Sequence, residues 1–77
     1  MNRDNRKFLV DVGYRIRERR QALRCSQLEL GERSGLHRTF IGAVERGERN
    51  VSILNLRQIA KTLRTKLSTL FDDTSEL

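Results

Sequence analysis

Three hydrogen-bonding side chains follow one another near the middle of the chain: His37, Arg38 and Thr39. The planar fork of an arginine matches O6 and N7 of guanine in the major groove of DNA, and a threonine methyl suits the methyl group of thymine. We therefore predict that Arg38 and Thr39 contact bases. The alternatives are a phosphate-only contact for Arg38 and a helix cap for Thr39. No second metal ligand lies at a matching spacing from His37, so we expect this residue near a phosphate at a helix entry.

Two short predicted helices must position these side chains. Ser26 and Glu29 form a capping box, which predicts the start of the first of them. Gly35 suits the left-handed residue that follows a helix end, and the next helix is predicted over 37–45. Residues 26–45 thus have the layout of a helix-turn-helix, whose second helix enters the major groove. A helical hairpin that binds no ligand has the same layout and is the alternative.

The rest of the chain also shows helical periodicity. Apolar residues recur three and four positions apart over about 6–23, where Gly13 is tolerated at a cost of about 1 kcal/mol relative to alanine. Ser52 is predicted to cap a fourth helix and Ser68 a short fifth one. Proline is absent and aromatic residues are 5%, which disfavours a β fold. We predict an all-α, compact five-helix fold in a single domain 1–77, with a core over about 8–71 and an acidic tail at 72–77.

The charge balance favours a polyanionic partner. The 77 residues contain 16 Lys and Arg against 10 Asp and Glu, so the formal net charge is +6. Nucleic acid is the first partner that such a charge indicates, and the helix-turn-helix layout specifies double-stranded DNA. One arginine-rich run is predicted to be a solvated face that borders DNA in part; it consists of Arg15, Arg17, Arg19, Arg20 and Arg24.

Several classes of protein are excluded by what the sequence lacks. With one cysteine, Cys25, neither an internal disulfide nor a cysteine-rich zinc site can form, and we expect its side chain to be a small buried hydrophobe. No nucleophile–base pair and no glycine-rich phosphate loop is present, so we expect no enzyme activity, no cofactor and no metal. No apolar run approaches the ~20 residues of a membrane span. The N-terminus shows no secretory signal, so we expect a cytoplasmic protein with no membrane partner.

The C-terminal third is predicted to form a homodimer. Leu67, Leu70 and Phe71 provide more apolar surface than a short terminal helix needs for its own core. Ile53 or Leu54 joins them, because both cannot face the same side of the fourth helix. A dimer would place two helix-turn-helix units on half-sites about one helical turn, ~34 Å, apart.

One segment resembles a known family. SQLELGERSGLHRTFIGAVERGERN is similar to the helix-turn-helix of phage-repressor-like (XRE-type) transcription regulators, and GLHRTFIGAVERGERN resembles the controller proteins of restriction–modification systems. LRQIAKTL and LSTLF resemble the fourth and fifth helices of that family, so the likeness covers about residues 8–71. It implies a repressor-like, all-helical homodimer on a two-fold symmetric operator. The controller branch regulates its own gene, and RNA polymerase is a further partner where such a protein activates.

The resemblance also implies roles for single residues. It assigns Gln27 to a base or phosphate contact, and Arg20 and Glu45 to an ion pair between the first and third helices. The alternative for these residues is a plain solvated side chain. The resemblance also assigns contacts with the DNA sugar–phosphate backbone, which position the protein on the duplex but do not read its sequence. These contacts belong to residues at the end of the third helix and in the following loop: Arg46, Arg49 and Asn50. Arg46 and Arg49 have the same solvated alternative.

Other positions depart from the family or follow from their place on the helix. Phe40 stands where the controller branch commonly has Tyr, and its ring is predicted to contact an easily deformed pyrimidine–purine step. Ala43 lies one turn beyond Thr39 on the same face and is predicted to touch DNA weakly or to leave room for its approach. Ser26 is assigned to a phosphate. Two arginines stand where the family usually has a helix-ending glycine, which leaves the helix-end geometry open: Arg24 and Arg64.

A second class of function remains open. A small protein-binding helix-turn-helix module, such as an antitoxin or adaptor, would share the fold. Residues 37–50 carry three Arg and two Glu, whereas residues 51–71 carry four basic groups and no acid. A protein-binding module does not need this increase in positive charge toward the C-terminal part of the chain, so the charge favours DNA.

Overall fold

Side-chain caps determine where most of the helices begin. The computed structural model describes residues 2–71. This part of the chain is all-helical, as predicted, with five helices: α1 (Arg3–Ala22), α2 (Gln27–Ser34), α3 (Arg38–Glu45), α4 (Ile53–Thr62) and α5 (Leu67–Leu70). The predicted acidic tail at 72–77 lies outside the described residues.

Three helix starts differ from the prediction, that of α3 by a single residue. The side chain of Asn2 accepts a hydrogen bond from the Asn5 backbone N–H at 2.8 Å, so α1 begins at Arg3, three residues early. The expectation that Ser68 caps α5 is wrong, because α5 begins one residue before it, at Leu67, and has no side-chain cap. By contrast, α4 begins as predicted, with the Ser52 hydroxyl accepting from the Asn55 N–H at 3.1 Å.

Arginine occupies two left-handed positions that follow helix ends. Arg24 after α1 has φ 54° and Arg64 after α4 has φ 56°. After α1, the Cys25 N–H donates to the Arg20 carbonyl at 3.0 Å and the Arg24 N–H donates to the Gln21 carbonyl at 2.9 Å, which is the Schellman pattern. At the two helix ends where the resemblance implies glycine, the left-handed residue is therefore arginine, at the cost of a strained backbone conformation.

The five helices share one apolar core. Helix α2 packs against α3 and α4, while α1 packs against α3 and α5. Cys25 is 7% exposed and belongs to this core, as predicted. The largest fully buried side chains of the core are Ile16, Leu30, Ile41, Ile59, Leu63 and Leu70.

Gly13 allows α1 and α3 to approach each other closely. A Cβ atom at this position would lie 2.4 Å from the Val44 carbonyl oxygen and 2.5 Å from that of Glu45. Both neighbours are backbone atoms of α3, so no side chain can move to make room. Packing of α1 against α3 therefore requires glycine at position 13. The sequence had indicated only that Gly13 is tolerated within a helix.

Arginines of α1 hold the C-terminal helices. Arg19 donates through Nε to the Leu63 carbonyl at 2.9 Å and through Nη2 to the Arg64 carbonyl at 3.2 Å, where α4 ends. Arg15 Nη1 donates to the Leu70 carbonyl at 3.5 Å. These bonds supply donors to carbonyl groups that a helix end leaves without an intrahelical partner. The predicted solvated arginine face is therefore wrong for Arg15 and Arg19, whose side chains connect elements, and for Arg20, which is buried.

Candidate nucleic-acid interface

The helix-turn-helix predicted over 26–45 forms from local interactions. The Ser26 hydroxyl accepts from the Glu29 N–H at 3.0 Å, and the Glu29 carboxylate accepts from the Ser26 N–H at 2.9 Å. The hydrogen bond that the Ser26 backbone N–H donates to the carboxylate is the main cause that lowers the pKa of Glu29. Gly35 has φ 77° and ends α2, as predicted. A hydroxyl that accepts one bond still has its proton to donate, so Ser26 keeps a donor for an anion.

The start of α3 presents polar side chains to solvent. His37 caps the helix: its Nδ1 accepts from the Thr39 N–H at 3.1 Å, and the Thr39 hydroxyl lies 2.8 Å from the same nitrogen. The helix cap is therefore His37, and not Thr39. Arg38 and Thr39 are both exposed. Within residues 2–71 the guanidinium of Arg38 makes no hydrogen bond or ion pair, so all its donors are available to a ligand.

A buried ion pair joins α3 to α1. Arg20 Nε lies 2.6 Å from Glu45 Oε2, and Arg20 Nη2 lies 3.0 Å from Glu45 Oε1. Arg20 and Glu45 are 9% and 8% exposed, and Arg20 Nη1 also donates to the Cys25 carbonyl at 2.9 Å. The hydrogen bond to Glu45 raises the pKa of Arg20, against the opposing effect of burial. The pair implied by the resemblance is thus present, and it orients α3 against α1.

Gln27 connects the start of α2 to this ion pair. Its side-chain Nε2 donates to Glu45 Oε1 at 3.1 Å, and the residue is half-buried. The amide therefore keeps one N–H and its oxygen for another partner. The side-chain oxygen of Gln27 lies near Gly42, at 3.4 Å from where a Cβ atom on that glycine would be. Sequence reasoning missed this bond because it joins residues 18 positions apart.

Phe40 and Arg49 form a stacked pair behind the start of α3. The guanidinium carbon of Arg49 lies 5.3 Å from the centroid of the Phe40 ring, which also packs against the core. A cation over an aromatic face at this distance is attracted to it. The ring of Phe40 is predicted to contact a base step and Arg49 a phosphate. Because the two side chains stack on each other, they form one continuous surface.

Arg46 at the end of α3 is held by an acidic neighbour. Its Nε lies 3.0 Å from Glu48 Oε2, and both side chains are exposed. The hydrogen bond between them raises the pKa of Arg46 and lowers that of Glu48. Two guanidinium nitrogens remain for a phosphate. Ala43 is half-buried, and Asn50 is exposed in the loop between α3 and α4.

The residues predicted for the dimer interface divide into two groups. The sequence predicted that only one of Ile53 and Leu54 joins the exposed apolar surface, but they are 60% and 67% exposed, so both face solvent in the first turn of α4. Leu70 is 1% exposed and belongs to the core of its own chain, which removes it from any interface. Leu67 and Phe71 are half-buried.

An apolar groove of about 440 Å³ lies beside Ile53. Sequence reasoning missed the part of it that α1 supplies. Its apolar lining consists of Phe8, Leu9, Val12, Val51, Ile53, Leu56 and Phe71.

Neither a metal cluster nor a membrane span is found in the described part of the chain. Residues 2–71 contain no group of three or more His, Cys, Asp or Glu side chains that could hold a metal ion. No helix in the same range has the length and apolar character to cross a membrane.

Comparison with known proteins places the chain among helix-turn-helix regulators. The family model HTH_3, described as helix-turn-helix, matches residues 16–70. Control protein C.SmaI of Serratia marcescens is 49% identical over 55 residues, which are 71% of this chain and 66% of that protein. Control protein C.BamHI of Bacillus amyloliquefaciens is 39% identical over 64 residues, which are 82% of this chain and 79% of that protein.

A solved structure gives the same result. The crystal structure of the restriction–modification controller protein C.AhdI from Aeromonas hydrophila superposes with a TM-score of 0.84 at 44% sequence identity. The match covers 88% of this chain and 99% of that chain.

Proposed function

The chain belongs to the HTH_3 helix-turn-helix family and is a transcription regulator similar to restriction–modification controller proteins, and from this we propose that it binds a two-fold symmetric DNA operator as a homodimer. In this proposal it controls its own gene in a restriction–modification system. RNA polymerase is a further partner where binding activates transcription.

The observation that carries the proposal is the free guanidinium of Arg38 on an anchored helix. Arg38 is exposed and begins α3, while the end of α3 is tied to α1 by the buried pair of Arg20 and Glu45. A long side chain with unused donors at the N-terminus of such a helix suits the floor of a major groove. Because the helix is held at its other end, the position of the Arg38 backbone is defined before DNA binds, and the unpaired side chain can extend from it into the groove.

We assign the surrounding side chains to two kinds of contact. Bases are read from the start of α2 and the exposed face of α3, by Gln27, Arg38, Thr39, Phe40 and Ala43. Phosphates are held at the two helix starts and behind α3, by Ser26, His37, Arg46, Arg49 and Asn50. The exposure of Ser26, His37 and Arg49 supports this division, since each has a polar group at the surface.

The homodimer is proposed to form through the start of α4. Ile53 and Leu54 are the two most exposed large apolar side chains among residues 2–71, and the groove beside Ile53 adds Phe8 and Phe71. Exposed apolar surface of this kind is typical of an interface. A dimer doubles the net charge of +6 to +12, which strengthens attraction to DNA.

Selection of bound sites from a random DNA pool tests the proposal. We expect a motif with two-fold symmetry and half-sites about one helical turn, ~34 Å, apart. Affinity for the selected site should then be measured against salt. If the dimer neutralises about 6–10 phosphates, the slope of log K against log salt is about −5 to −9. A slope near zero with no enriched motif would exclude DNA and favour the protein-binding module.

A further inference from the structure

The hydrogen bond between Thr39 and His37 defines the tautomer of the imidazole. The backbone N–H of Thr39 points to His37 Nδ1 at 3.1 Å. A backbone N–H can only donate, so Nδ1 must accept and carries no proton. In the neutral imidazole the hydrogen is then on Nε2, where it is a donor at the surface of the exposed His37.

The same bond determines the role of the Thr39 hydroxyl. Its oxygen lies 2.8 Å from His37 Nδ1. With Nδ1 unprotonated, the hydroxyl is the only group in this contact that can donate, so its proton points to that nitrogen, whose one lone pair is shared between the two Thr39 donors. A hydroxyl has one donor and two acceptor lone pairs, so Thr39 keeps only acceptor capacity and its methyl group for other partners.

We propose that His37 is a positioning residue that makes Thr39 read bases as a hydrogen-bond acceptor. This inference rests on the proposed function, since it concerns the same helix in the major groove. In that groove the donors are N6 of adenine and N4 of cytosine, whereas guanine O6 and N7 and thymine O4 are acceptors. A threonine hydroxyl ordinarily serves either kind of group. With its proton held by His37, Thr39 selects adenine or cytosine and rejects guanine and thymine on the strand that it contacts.

The tautomer is tested first, on the wild-type protein without DNA. His37 is the sole histidine, so the ¹⁵N NMR spectrum of labelled imidazole contains one side chain. At a pH where the ring is neutral, we expect hydrogen on Nε2 and none on Nδ1. Hydrogen on Nδ1 would overturn the inference, because neither bond from Thr39 could then form. This measurement does not depend on the folding of any variant.

The selectivity is tested with single-base variants of the operator and three substitutions. We expect wild type to prefer adenine or cytosine at one position of each half-site by roughly tenfold, the scale of one hydrogen bond to a base. T39V should abolish that preference. H37A should weaken it by letting the released hydroxyl donate to guanine or thymine. H37N should retain the preference, because the asparagine side-chain oxygen can accept from both groups of Thr39, while affinity for all sequences falls together as the proposed phosphate contact of His37 is lost.

The ranking of the operator variants separates positioning from plain helix capping. Removal of a cap alone lowers affinity for all sequences together and leaves their order unchanged. If H37A keeps the wild-type order at the position that T39V alters, the inference is overturned while the proposed function stands. If wild type shows no sequence preference at all, the proposed function itself fails.

Discussion

The guanidinium of Arg20 and the carboxylate of Glu45 meet at two points, at 2.6 Å and 3.0 Å, across 25 positions of sequence. Gln27 donates to the same carboxylate at 3.1 Å, and Arg20 also donates to the Cys25 carbonyl. Three helices therefore meet at one ion pair: α1 through Arg20, α2 through Gln27 and α3 through Glu45. The orientation of α3, which carries most of the side chains proposed to read bases, depends on this junction.

Removing one partner of this pair should destabilise the fold strongly. Glu45→Ala leaves the Arg20 charge buried without a counter-ion, which typically costs ~3–5 kcal/mol. Urea denaturation followed by circular dichroism measures the change. Glu48→Ala is the matched control, because it also removes a carboxylate that pairs with an arginine but does so at the surface, where ion pairs contribute little. Equal destabilisation by the two substitutions would contradict the role of the buried pair.

Arg38 and Arg49 should have separable effects on DNA binding. Arg38→Ala should flatten the preference at one position of each half-site, a G·C pair, at a cost of ~1–3 kcal/mol for the preferred base. Arg49→Ala should lower affinity for operator and random DNA together and reduce the salt slope by about 1 for each phosphate that is no longer neutralised. Binding to a series of single-base operator variants compares the two proteins. An unchanged order for Arg38→Ala, or a reshuffled order for Arg49→Ala, would require a different register of α3 in the groove.

The dimer should be disrupted from the start of α4. Ile53→Glu places a charge on a side chain that is 60% exposed in the single chain, so the fold should be retained while the interface is disrupted. Sedimentation velocity should show a monomer, and operator binding should weaken. Tyr14→Glu is the control, since Tyr14 is 57% exposed on α1 and does not line the groove beside Ile53. A dimer that survives Ile53→Glu would place the interface elsewhere. Leu70 is unsuitable for this test because its side chain is buried in the core of its own chain.

Two glycines in helices should respond differently to alanine. In Gly13→Ala the new Cβ meets backbone carbonyls of α3 at 2.4 Å and 2.5 Å, and overpacking of this kind costs ~1–3 kcal/mol. In Gly42→Ala the nearest atoms are the flexible ends of Arg46 and Gln27, at 3.2 Å and 3.4 Å. That substitution should be tolerated, because alanine also favours the helix. Thermal denaturation of both variants measures the difference, and a stabilised Gly13→Ala protein would contradict the close approach of α1 and α3.

Arg64 should be replaceable by glycine with a gain in stability. Its φ of 56° costs ~1–3 kcal/mol for a residue with a side chain, whereas glycine adopts this conformation readily. We expect Arg64→Gly to raise the free energy of unfolding by up to about 1 kcal/mol, because the looser unfolded chain offsets part of the gain. Arg57→Gly, in the exposed interior of α4, should instead destabilise by about 1 kcal/mol. Chemical denaturation that ranks the two variants in the opposite order would contradict this account.

The sequence by itself determined the features that depend on neighbouring residues. The capping box of Ser26 and Glu29 involves residues three apart, and Gly35 ends α2 through its own backbone conformation. The exposure of Arg38 and Thr39 follows from polar residue types at the start of an amphipathic helix. These interactions form within a few residues of the chain, so residue type and spacing were sufficient to predict them.

The tertiary structure decided what depends on residues distant in the chain. Arg19 donates to the carbonyl of Leu63, 44 positions away, although nothing in the sequence distinguishes Arg19 from a solvent-exposed arginine. Leu70 and Leu54 are the same residue type, yet one is 1% and the other 67% exposed. The reason is that a donor comes within reach of a distant carbonyl, and an apolar side chain becomes buried, only once the helices have packed. Packing directions between helices are set by the combined shape of all their side chains.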